Sequence, residues 1–160
     1  MKRYTHPFEP LVFNDSEVLV LGTFPSLVSF EDNFYYAHKR NQFWKLLGDI
    51  YHMPSETKKE RIELVKKHKI ALWDIIASCT RENSSDTNLK NIVLNDIPSL
   101  LARYPNIQRI AFTGKKAQSL YNKLYSDLPV STHLLPSPSP AYAAMKYEEK
   151  RKRYRDFFIN

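Results

Sequence analysis

The chain has 160 residues, 42% of them hydrophobic and 13% aromatic, with only 3 glycines, which is material for one self-folding domain over residues 1–160 and excludes a low-complexity or linker-rich chain. A formal net charge of +7 favours a polyanionic partner without identifying it. One cysteine, Cys79, excludes an internal disulfide, a cysteine zinc site and a four-cysteine iron–sulfur cluster.

Residues Met1-Lys2-Arg3-Tyr4-Thr5-His6-Pro7 lead into no apolar signal-peptide core, and no apolar run approaches the ~20 residues of a membrane span, so a reducing, cytoplasmic location away from membranes is expected. In chain order, four short apolar runs read as buried strands: residues 18–21, 70–73, 107–113 and 130–135. Helical spacing occupies residues 41–50, 55–68, 95–104, 115–125 and about 141–158. The second of these starts at Pro54-Ser55-Glu56, where Lys58 and Lys59 leave Ser55 without a full capping box. Tyr147, Tyr154 and Phe158 share one face of the last helix. Strands alternating with helices predict an α/β fold, a mostly parallel sheet covered on both faces.

An open parallel sheet takes its ligand at the carboxyl ends of its strands. Those ends carry Gly22-Thr23-Phe24-Pro25-Ser26, then Trp73-Asp74, then Thr113-Gly114-Lys115, then Leu135-Pro136-Ser137-Pro138-Ser139-Pro140. The first is followed by Phe34-Tyr35-Tyr36-Ala37-His38-Lys39-Arg40-Asn41-Gln42-Phe43-Trp44, where aromatics interleave with cations and amides. Such a stretch can stack a base, hold a phosphate and hydrogen-bond a base edge. The two Ser/Pro loops are either rigid turns or stiffened platforms that present Ser26, Ser137 and Ser139 to phosphate oxygens.

Each polar candidate also has a plainer reading. Asn41 reads as a helix cap or as a working amide, and Asp74 as a cap or as an acceptor in the site. His38, Lys39 and Arg40 read as a solvated cluster or as phosphate contacts, and the basic run of the last helix likewise. His133, inside a strand, reads as a satisfied core histidine, and Cys79 as a small buried hydrophobe. Lys115 and Lys116 lack the glycine pattern of a phosphate loop, which counts against a nucleotide triphosphatase and leaves Lys115 as a backbone contact. No histidine cluster has metal-ligand spacing and no serine sits in a nucleophile elbow, so a mechanism without metal, cofactor or covalent intermediate is expected.

The four strand-end motifs together, Gly22-Thr23-Phe24-Pro25-Ser26, Tyr35 through Trp44, Leu72-Trp73-Asp74 and Leu135-Pro136-Ser137-Pro138-Ser139-Pro140-Ala141, resemble the uracil-DNA glycosylase superfamily. Within it they look most like the hypoxanthine-DNA or deoxyinosine glycosylases, over roughly residues 10–158. The resemblance implies a three-layer α/β/α sandwich with a central four-stranded parallel sheet. It also implies a monofunctional glycosylase that flips a deaminated base from double- or single-stranded DNA, most of all hypoxanthine and secondarily uracil, and leaves an abasic site. Acting as a monomer is expected.

On this resemblance the first motif lacks the water-positioning Asp or Asn of many members, and that role falls on Asn41. Asp74 takes the place of an asparagine that reads the uracil edge, and as an acceptor it would favour the N1–H of hypoxanthine over the lone pair of adenine. Leu135 stands where classical members have a histidine that stabilises the leaving base. Phe24, Tyr35 or Phe43 would stack on the extruded base, and Tyr142 or Met145 would wedge into the gap it leaves. Two other readings stay open: a nucleic-acid-binding module without catalysis, and a small phosphate-ester or nucleotide hydrolase, the latter disfavoured by the absence of metal-ligand clusters.

Overall fold

A computed structural model describes residues 2–7, 9–81, 89–139, 142 and 144–159. In order the chain forms β1 (Arg3–Thr5), β2 (Val18–Gly22), α1 (Leu27–Asp32), α2 (Phe43–Tyr51), α3 (Lys58–Lys67), β3 (Ile70–Asp74), β4 (Ile76–Thr80), β5 (Lys90–Leu94), α4 (Ile97–Arg103), β6 (Arg109–Thr113), α5 (Lys115–Tyr125), β7 (Ser131–Leu135) and α6 (Tyr147–Phe158).

The period of two along a strand sends Val18 and Val20 of β2 into one core and Leu19 and Leu21 into the other, so every side chain of this strand is buried. On its two sides β2 pairs in parallel with β3 and β6, and β6 pairs in parallel with β7, giving the order β3-β2-β6-β7. One face is covered by Phe43, Trp44, Leu46 and Leu47 of α2, Leu64 and Val65 of α3, and Tyr154 and Phe157 of α6. The other is covered by Ile97 and Leu100 of α4 and by Ala117, Leu120 and Tyr121 of α5. The result is the parallel sheet covered on both faces that the strand–helix alternation predicts, and the three-layer α/β/α sandwich that the resemblance implies.

The structure corrects several local expectations. The run 130–135 is not a buried strand: among the described residues β7 is an edge, paired only with β6, and Ser131, Thr132, His133 and Leu134 are all exposed. His133 is therefore no core histidine; its ring packs against Phe157 at 5.0 Å from the surface side. The second helix is capped by Thr57 rather than started at Ser55: the Thr57 hydroxyl accepts from Glu60 N and the Glu60 carboxylate accepts from Thr57 N, a complete capping box. The last helix begins at Tyr147, with residues 144–146 non-helical and residues 140, 141 and 143 outside the described set. Lys150 does not belong to a solvated basic face, because it is 2% exposed and its Nζ donates to Gln42 Oε1 at 2.9 Å and to the Tyr142 carbonyl at 3.0 Å.

A second sheet went unread in the sequence. β1, β4 and β5 form an antiparallel sheet in the order β1-β4-β5, with Thr5 opposite Ser78. β1 is only 3 residues long, β5 contributes just the short run Ile92-Val93-Leu94 with Val93 exposed, and Cys79 lies buried inside β4. Because β4 starts two residues after β3 ends, this sheet is tied directly to the carboxyl edge of the parallel one. Among the described residues no helix is long and apolar enough to cross a membrane.

Candidate active site

The carboxyl ends of β2, β3 and β6 bring Gly22, Asp74 and Thr113 together. Gly22 is required there by space: a Cβ on it would stand 2.5 Å from Asp74 Oδ1, 3.0 Å from the Tyr36 hydroxyl and 3.4 Å from Thr113 Oγ1. Three side-chain oxygens therefore converge on a bare Cα. Tyr36 reaches this point from a left-handed backbone (φ 53°), its ring stacked on Phe43 with centroids 4.1 Å apart and its hydroxyl 3.1 Å from Thr113 Oγ1. The loops after β2 and β3 are stitched together by Ile75 N–H donating to the Gly22 carbonyl and Ile76 N–H donating to the Thr23 carbonyl.

Asp74 is not a helix cap. Its carboxylate is 6% exposed, and Oδ2 lies 2.8 Å from His6 Nε2, itself on a side chain only 5% exposed. The His6 ring sits 6.0 Å from those of Phe24 and Tyr35. Burial, followed by the neighbouring Asp74 charge, pushes the Tyr35 phenol far above its ordinary range, so it stays a donor, to the Glu9 carbonyl at 3.0 Å.

Asn41 closes the turn that leads into α2. Its N–H donates to the His38 carbonyl, and its Oδ1 accepts from Phe43 N at 2.9 Å, one residue ahead of the helix cap, Gln42. Gln42 N–H in turn donates to the Pro138 carbonyl, so the Ser/Pro loop after β7 is joined to the start of α2. Within that loop Ser137 Oγ accepts from Ser139 N at 3.2 Å, and the buried Tyr154 hydroxyl donates to the Pro136 carbonyl at 2.6 Å. Gly114 (φ 133°) passes close to Ser137 just before the exposed Lys115.

The structure thus gathers Asn41, Ser137, Ser139, Lys115 and, through Lys150, Tyr142 along one edge. Lys39 and Arg40 are exposed beside Asn41, while His38 is partly buried with its Nδ1 accepting from Arg40 N. An open groove of about 1010 Å³ runs along α2 and reaches Asn41, but it mixes Lys39, Lys45 and Arg61 with Asp49, Glu56 and Glu60, so it is no simple anion track. Ser26 caps α1 by accepting from Ser29 N, and Ser29 Oγ accepts from Ala37 N, anchoring the aromatic segment.

Of the three rings expected to stack on a base, Phe43 is fully buried and covered by Tyr36; Tyr35 and Phe24 are 4% and 8% exposed. Tyr36 is thus the ring between Phe43 and the strand ends, and Phe24 is backed by Phe30 and the Arg81 guanidinium. Sequence reasoning missed His6, Tyr36 and Thr113 as parts of the site. Tyr36 and Thr113 lie inside motifs it quoted, whereas nothing local links His6 to a carboxylate 68 residues away. Among the described residues no group of three or more His, Cys, Asp or Glu side chains could hold a metal ion.

Fold and site define an α/β protein with polar and aromatic side chains gathered at the carboxyl ends of its parallel strands. The family model described as the uracil DNA glycosylase superfamily matches residues 10–160, and the chain belongs to that superfamily. It is 35% identical over 136 residues to a protein named hypoxanthine DNA glycosylase from Methanosarcina barkeri (strain Fusaro / DSM 804), covering 84% of this chain and 85% of that one. A protein of the same name from Methanosarcina acetivorans is 30% identical over 136 residues, with the same coverage. A solution NMR structure of a candidate uracil DNA glycosylase from Methanosarcina acetivorans superposes with a TM-score of 0.79 at 28% identity, covering 93% of this chain and 95% of that one.

Proposed function

We propose that this chain is a monofunctional DNA glycosylase that flips hypoxanthine, and secondarily uracil, out of DNA and hydrolyses the bond from the base to the sugar, leaving an abasic site. The observation that carries the substrate is the buried Asp74 carboxylate at the end of β3. An ionised carboxylate only accepts hydrogen bonds, and hypoxanthine offers an N1–H where adenine has a lone pair. The relatives named hypoxanthine DNA glycosylase support the same assignment.

In this reading Asn41 positions the attacking water. An amide oxygen has two acceptor sites; in Asn41 the Phe43 N–H takes one and fixes the side chain, which leaves the other for a water proton. Cleavage passes through an oxocarbenium-like state, for which a held water matters more than a strong base. The bond between C1′ and the base nitrogen breaks with its electrons on the base, water adds at C1′, and the proton that water loses ends on the base. Ser137, Ser139, Lys115, Lys39 and Arg40 contact phosphates, Tyr36 and Phe24 wall the base, and Tyr142 enters the gap. The protein acts as a monomer without metal or cofactor.

Single-turnover excision on duplexes and single strands carrying hypoxanthine, uracil, xanthine or an undamaged base, without added metal, tests the proposal. Hypoxanthine should be released, and Asn41→Ala should slow release about 100-fold or more while DNA binding survives. Tight binding with no base released from any substrate would make the protein a DNA-binding module instead.

A further inference from the structure

We infer that His6 is the positioning residue that turns the Asp74 carboxylate into a one-sided acceptor for the flipped base. The inference rests on the proposed base-reading role of Asp74. The two carboxylate oxygens stand in different surroundings. Oδ2 is 2.8 Å from His6 Nε2, and Oδ1 lies at the bare Cα of Gly22, beside the Tyr36 hydroxyl and Thr113 Oγ1.

With the Nε2–H on Oδ2, that oxygen is held as an acceptor and the carboxylate plane is set, so Oδ1 is the atom presented at the strand ends. Without that donor the carboxylate could rotate, or carry a proton on Oδ2 and present a mixed donor–acceptor edge. A mixed edge no longer distinguishes an N1–H from an N1 lone pair. His6 thus protects the property on which base choice depends.

The second sheet delivers this histidine. β3 ends at Asp74, β4 begins at Ile76, and β1 lies antiparallel on β4 with Thr5 opposite Ser78. The next residue is His6, whose N–H donates to the Ala77 carbonyl at 2.8 Å. The chain's beginning is thereby laid across the end of the strand that carries Asp74. Rings on two sides, Phe24 at an interplanar angle of 75° and Tyr35 at 42°, then limit how the imidazole can turn. Burial of both partners makes the pair a built feature rather than a surface ion pair.

The test is a double-mutant cycle of His6→Ala and Asp74→Asn, with His6→Gln alongside, read by single-turnover excision of hypoxanthine and by affinity for abasic-site DNA. His6→Ala should lower the excision rate constant about 10-fold or more, leave abasic-site affinity within about 2-fold, and add no further loss in the Asp74→Asn background. His6→Gln, whose amide N–H can still donate, should recover much of the rate. A His6→Ala enzyme at the parental rate, or losses that add in the cycle, would overturn the inference while leaving the glycosylase reading intact. If the parental protein releases no hypoxanthine, the functional reading itself fails. Should His6→Ala not fold, imidazole nitrogen NMR of the parental protein decides: Nε2 protonated supports the inference, and Nε2 bare, accepting from a protonated Asp74, refutes it.

Discussion

Gly22 shows how little room the strand ends leave. A methyl there would meet Asp74 Oδ1 at 2.5 Å, and Asp74 cannot give way freely because its other oxygen is on His6. Gly22→Ala is therefore expected to destabilise the fold by about 1–3 kcal/mol through overpacking. Excision should fall further than the loss of folded protein explains, because the displaced group is the carboxylate proposed to read the base. Thermal melting beside single-turnover excision at a temperature where the variant is folded checks this; parental excision from folded Gly22→Ala would place the base elsewhere. At the same scale, Tyr36 needs its left-handed backbone to lay its ring on Phe43 while its hydroxyl meets Thr113.

Among the elements, α6 does more than cover the sheet. Tyr154 holds the Pro136 carbonyl, and Lys150 holds both Gln42 Oε1 and the Tyr142 carbonyl, so one helix fixes the Ser/Pro loop to the turn that carries Asn41. Lys150→Met keeps the apolar stem and removes the donors, leaving two acceptors without their partner. A loss of about 1–3 kcal/mol is expected for that uncompensated burial. Faster hydrogen exchange at Gln42 N–H, whose acceptor is the Pro138 carbonyl, would report the loosened loop. Unchanged exchange and stability would mean the loop is held without Lys150. The exposed face of the same helix is ordinary by comparison: Arg151 pairs with Glu148 and Arg153 with Glu149, both largely in water and of small energetic value.

The whole molecule should be sensitive to alkali. Burial raises the phenol of Tyr51 to about 12 and pushes those of Tyr35, Tyr147 and Tyr154 higher. A folded-state value above the unfolded one means stability is fully present below the ordinary tyrosine value of 10.0 and is lost as pH rises, for Tyr51 between 10.0 and about 12. Lys150 has the opposite sign: burial lowers its value below 10.5, so its cost to folding is relieved as pH rises toward that figure. Four tyrosines outweigh one lysine, and the urea midpoint should fall between pH 9 and pH 11. Phenolate absorbance from the buried rings should appear only as the near-ultraviolet dichroism collapses. All 10 tyrosines titrating near their ordinary value with the fold intact would contradict this packing.

Much of the sheet and most helices were legible because burial leaves a local periodic mark: 18–21, 70–73 and 107–113 are apolar runs, and the helices between them show their period. The strand-end motifs were legible too, since each is contiguous and the residue types alone say which can accept, donate or stack. What tertiary structure alone decided was which distant groups meet. His6 with Asp74, Lys150 with Gln42 and the Tyr36 hydroxyl with Thr113 each join segments far apart in the chain, and no periodicity records such a pair. The same holds for the antiparallel sheet, whose short outer strands gain their structure from pairing rather than pattern, and for β7, an edge whose first four residues are exposed. Local sequence sets what a residue can do, and the closing of long loops sets whom it does it to.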